Sequence, residues 1–135
     1  MVKKLIFLDT SFIVALANSS DGRHQKAVNL AKKIEHEEKV ISNVIIIEVM
    51  NTLKNFKEGK LNEYVYQIIK DNFKIHEENL TLYDDALTTQ LKYKGKLGFA
   101  DCIIIEIMKK SNIKQIASFD KHFDRKEGIE RIFWD

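Results

Sequence analysis

Proline is absent from this 135-residue sequence, glycine occurs only five times and cysteine once. With no Pro/Gly-rich stretch, no low-complexity segment and no internal repeat, residues 1–135 read as one continuous domain. The lone Cys102 excludes an internal disulfide and points to a reducing, cytoplasmic setting. No apolar run approaches the ~18 residues that a membrane span requires. The opening Met1-Val2-Lys3-Lys4 leads into an apolar run that Asp9 interrupts too early for a signal peptide. Strong charge of one sign is missing too. The 22 basic and 20 acidic residues leave a net charge of +2, too small to advertise a nucleic-acid binder. What remains, 44% hydrophobic and 31% charged, is the composition of a folded chain with its own core.

The pattern of elements begins with Leu5-Ile6-Phe7-Leu8, a short apolar run closed by Asp9-Thr10-Ser11. This reads as a buried strand feeding a helix, with Thr10 or Ser11 as cap. Further helices are expected from Asp21, from Ser42 or Asn43 to Gly59, over Leu61–Phe73, behind a Thr81/Asp84 capping box, and over Cys102–Lys110. Strands are expected at Val40–Ser42, at Lys74–Glu78 as a polar sheet edge, at Ile113–Ser118 and at Ile129–Phe133. Strands alternating with helices give a three-layer α/β/α sandwich around a mainly parallel sheet of about five strands.

Four carboxylates stand out. Asp9 and Asp120 each follow an apolar strand, so in a parallel sheet they share one edge. Asp101 sits in the first turn of a helix, where the dipole favours an acid. Glu48 falls among the inward apolar residues Ile45, Ile46, Val49 and Met50. Each alone reads as a cap or a surface acid. Together at one edge they would repel unless a cation neutralised them. Hard oxygen donors without a His or Cys cluster suit Mg²⁺ or Mn²⁺ and argue against zinc. The four histidines, His24, His36, His76 and His122, show no ligand spacing and read as structural. Carboxylates with Mg²⁺ are equipment for displacement at a phosphodiester. Lysines cluster at Lys54, Lys57 and Lys60 and at Lys92, Lys94 and Lys96. These are either solvated faces or a phosphate-tracking groove.

Asp9-Thr10-Ser11-Phe12-Ile13-Val14-Ala15-Leu16, His24-Gln25-Lys26-Ala27, Ser42 with Val44–Val49 around Glu48, Phe99–Ile104 around Asp101, and Ala117–Phe123 around Asp120 occur in that order. In this series the chain resembles the PIN-domain ribonucleases, and among them the small VapC-type toxins of toxin–antitoxin pairs. The resemblance spans nearly the whole chain. Cys102 stands where the family more often has Ala, and Ser118 where it more often has Thr. The resemblance implies a Mg²⁺- or Mn²⁺-dependent endonuclease acting on single-stranded or looped RNA. Asp9 and Asp101 would be its main metal ligands, with Glu48 and Asp120 completing the acidic cluster. The hydroxyls of Thr10 and Ser118 would hydrogen-bond a carboxylate or a phosphate oxygen. A cognate antitoxin, laying a helix in the groove, and a homodimer are implied as partners. The homodimer could draw apolar contact from Tyr64, Val65 and Ile69, for which a core role is the alternative. Two rival readings stay open: an RNA-processing nuclease with the same site, and a non-catalytic α/β binding module. A phosphatase built on Asp9 is set aside, because its second acid would fall at position 11, which is Ser.

Overall fold

A computed structural model describes residues 3–133 of the chain, so Met1, Val2 and the last two residues of the expected 1–135 domain lie outside it. Five strands, β1 (Leu5–Leu8), β2 (Glu38–Ser42), β3 (Lys74–His76), β4 (Gln115–Ala117) and β5 (Glu130–Ile132), form one all-parallel sheet ordered β3-β2-β1-β4-β5. The helices are α1 (Thr10–Ala17), α2 (His24–Lys33), α3 (Asn43–Leu53), α4 (Lys60–Asn72), α5 (Leu80–Lys92) and α6 (Phe99–Lys110). This is the expected α/β architecture. Among the described residues, no helix is long and apolar enough to cross a membrane.

Strand β1 is apolar at every position because it lies at the centre of a parallel sheet covered on both faces. Ile6, Phe7 and Leu8 are almost wholly buried, packed with Ile41 of β2 and Ile116 of β4. From β1 the chain builds outward to β2 and β3 on one side, then returns to add β4 and β5 on the other. The order reverses between β1 and β4, and open α/β sheets bind ligands outside the carboxyl ends of strands at such a reversal. Asp9 follows β1 at that point, and its N–H donates to Ala117 O at 3.0 Å.

Several caps differ from expectation, some for tertiary and some for local reasons. Helix α1 starts at Thr10 with Asp9 at the cap position and no side-chain cap, because Thr10 and Ser11 point their hydroxyls elsewhere. Ahead of α2, Asp21 accepts the N–H of Arg23, not a helical one. Helix α3 is capped from outside: Glu78 accepts Val44 N–H at 2.7 Å, while Asn43 accepts Glu78 N–H at 2.9 Å. Helix α5 is capped by Asn79, which accepts Leu82 N–H at 2.9 Å, so Thr81 lies inside the helix. Helix α3 ends at Leu53, well before Gly59, because Lys57 and Glu58 take left-handed conformations. Gly59, at φ +88°, opens α4 instead, a conformation in which glycine carries no Cβ penalty. Of the apolar faces, Val65 and Ile69 take the core alternative, and Leu82 and Ala86 are buried as well. Tyr64, Leu87 and Leu91 are exposed, because the inward stripes of α4 and α5 are narrower than their apolar sequence.

Candidate metal centre and active site

The four acids come from four places in the fold. Asp9 ends β1, Glu48 lies in the second turn of α3, Asp101 in the first turn of α6, and Asp120 just beyond β4. Their charges act on one another: Asp9, Asp101 and Asp120 all raise the pKa of Glu48. The structure therefore brings all four expected acids to one edge.

A common arrangement links them: one oxygen of each carboxylate is held by a protein donor. Asp9 Oδ2 accepts the hydroxyls of Ser11 at 2.9 Å and Ser118 at 2.7 Å. Glu48 Oε1 accepts Thr10 Oγ1 at 3.0 Å. His122 Nδ1 lies 3.0 Å from Asp101 Oδ2 and 3.1 Å from Asp120 Oδ1. Among the described residues, no hydrogen bond reaches the second oxygen of any of the four acids. The hydroxyls are themselves fixed, since Ser11 accepts Phe119 N–H at 3.0 Å and Ser118 accepts Asp120 N–H at 2.9 Å. Thr10 and Ser118 thus each meet a carboxylate. Ser11, read from the sequence as a possible cap, bonds Asp9 instead, and His122, read as structural, lies against two of the acids. Two serines in contact across 107 positions leave no local sequence signal, whereas Asp120-x-His122 on one turn was a signal that could have been read.

Residues 6–129 match the PIN domain. The chain belongs to the PIN domain family. Among solved structures, VapC20 of Mycobacterium tuberculosis, a toxin that cleaves the sarcin–ricin loop, is 22% identical with a TM-score of 0.84, covering 95% of this chain and 98% of its own. VapBC2 from Rickettsia felis, bound to a DNA fragment from its promoter, gives a TM-score of 0.74 at 16% identity, over 97% and 99%. A toxin–antitoxin complex from Klebsiella pneumoniae gives 0.70 at 17% identity, over 93% and 95%. No curated protein matches the chain in sequence.

The electrostatics of this PIN domain's edge are those of crowded anions. Burial raises the pKa of Glu48 above the ordinary carboxylate value, Thr10 opposes it, and the other three acids raise it further. Burial also raises Asp101, with His122 opposing and the charges of Asp120 and Asp9 adding to the rise. Among the described residues, no three potential ligands stand close enough to hold an ion. The donor chemistry nonetheless fits a hard divalent cation, with four carboxylates, one free oxygen on each, and like charges that a cation would relieve. Cys102, beside Asp101, is buried with its thiol pKa raised by burial, which keeps it inert.

The expected lysine group lies apart. Lys92 lines a cleft of about 640 Å³ with Glu106, Lys109 and Glu127, and none of the four acids borders it. Lys94 and Lys96 are exposed on the loop between α5 and α6.

Proposed function

We propose that this PIN domain is a Mg²⁺- or Mn²⁺-dependent endoribonuclease and the toxin of a toxin–antitoxin pair. The observation that carries the reading is the set of four carboxylates at the sheet's reversal point, each with one oxygen fixed and one free. Asp9, Glu48, Asp101 and Asp120 would hold the ion. When bound, the ion supplies a polarised water and neutralises charge developing on the phosphate.

The chain's own groups prepare that chemistry. Ser11 and Ser118 lock Asp9 from one side, so its other oxygen faces a fixed direction. Thr10 does the same for Glu48. Glu48, half-buried and fixed through Thr10, suits the role of proton acceptor from the attacking water.

Cleavage of a looped RNA should require added Mn²⁺ or Mg²⁺ and stop in excess chelator. Undiminished cleavage in chelator would overturn the metal-dependent reading. The RNA strand needs cations to follow away from the acids, and Lys92 at the end of α5 with Lys94 and Lys96 on the loop after it offers three. Replacing all three with Gln should lower the slope of log affinity against log salt by roughly 2, at about 0.7 per single-strand phosphate contact. An unchanged slope would remove these lysines from the path.

The antitoxin reading draws support from the VapBC2 and Klebsiella complexes, whose folds this chain shares. Exposed apolar side chains give partners something to cover: Ile47 on α3, Tyr64 on α4, and Leu80, Leu87 and Leu91 along α5. One such face would serve an antitoxin helix and another a second copy of the chain.

A further inference from the structure

Two of the four acids share a single donor. Asp101 belongs to α6 and Asp120 to the turn after β4, and nothing in the backbone ties one to the other. Like charges placed this near tend to splay. His122 lies between them, with Nδ1 3.0 Å from Asp101 Oδ2 and 3.1 Å from Asp120 Oδ1. The ring is held at its base. His122 sits in the 3-10 turn Lys121–Phe123, whose Phe123 is fully buried. Asp120 Oδ1 also accepts the backbone N–H of His122 at 3.0 Å. The side chain itself is 60% exposed, so packing does not explain where it lies; its hydrogen bond to Asp101 and its ion-pair contact with Asp120 do.

We propose that His122 is a positioning residue that gathers Asp101 and Asp120 into one donor set for the divalent cation. The proposal rests on the reading of the four acids as a metal centre. The geometry suits holding and not blocking. The imidazole takes Asp101 Oδ2 and Asp120 Oδ1 and leaves Asp101 Oδ1 and Asp120 Oδ2 for the ion. Hydrogen-bonded partners of metal-binding carboxylates act in this way, fixing the direction of the coordinating oxygen. The contact uses Nδ1, the ring nitrogen nearer the backbone. An asparagine amide places its N–H close to that position, so Asn is the conservative replacement.

The test is Mn²⁺ binding, read by calorimetry at one fixed pH without RNA. His122→Ala should weaken binding by roughly 10–100-fold, the usual effect of losing a partner that orients a ligand. His122→Asn should stay within a few-fold of wild type. Equal affinity in the Ala variant would overturn the proposal, as would an Asn variant as weak as Ala. Tighter binding in the Ala variant would also overturn it, showing the ring to stand in the ion's place. If the wild-type chain binds no Mn²⁺, the metal-centre reading falls and this proposal falls with it. Failure of the His122 variants alone leaves that reading standing.

Discussion

Asp101→Asn should reduce RNA cleavage by roughly 10²–10³-fold, the scale on which loss of one preorganised stabiliser of transition-state charge is felt. The same variant should melt higher than wild type when both are kept in chelator at neutral pH. The second expectation follows from the pKa of Asp101, which is raised in the folded protein by burial and by the charges of Asp120 and Asp9, against the opposing pull of His122. A raised folded-state pKa means that the folded chain binds this proton more tightly than the unfolded chain. The stability it brings is complete below the ordinary aspartate value and is lost as pH climbs through the raised one. At neutral pH wild type has lost it, whereas Asn carries no charge to confine. The gap in melting temperature between the two should therefore widen as pH rises out of the acidic range and then level off. Added Mn²⁺ should reverse the ranking, because only wild type has its full set of ligands. Lower stability of the Asn variant in chelator would show that the acids are not under electrostatic strain.

Phe123→Ala is expected to destabilise the chain by about 3–5 kcal/mol, the range for truncating a buried aromatic ring. Phe123 is fully buried while its neighbours Lys121 and His122 are exposed, so it is the anchor of the turn that carries Asp120 and His122. Melting temperature should fall by on the order of 10 °C or more. Cleavage per folded molecule should fall as well, since loosening this turn frees both groups that face Asp101. Urea denaturation gives the first quantity, and activity measured well below the transition gives the second. A loss under 1 kcal/mol would mean that the turn is held by Asp124 and Arg131, paired at 2.7 Å, and not by the ring.

The sheet and its covering helices were legible because their signals are local. Four apolar residues before Asp9, and inward positions such as Ile45, Val49 and Leu53 at helical spacing, need no knowledge of the rest of the chain. The four acids were legible as strand-end and helix-start residues once a parallel sheet was assumed. The caps were misread wherever the partner is distant, as with Glu78 at Val44. Serine and threonine at a helix start are normally caps, but Thr10 and Ser11 spend their hydroxyls on Glu48 and Asp9. Tyr64, Leu87 and Leu91 lie exposed on otherwise amphipathic helices, because periodicity identifies an apolar face and says nothing of how much of it the neighbouring element covers.

The hydrogen bond between Ser118 and Asp9 closes a gap of 109 positions, and β1 must wait for β4 before it has a neighbour on that side. During translation at about 5–20 residues per second, Asp9 emerges roughly 5–20 s before Ser118. Until α6 begins, the nascent polypeptide carries Asp9 with Thr10 and Ser11, and later Glu48, but lacks Asp101, Ser118, Asp120 and His122. The order of synthesis thus leaves the four-acid edge incomplete until β4 and the turn after it have been made.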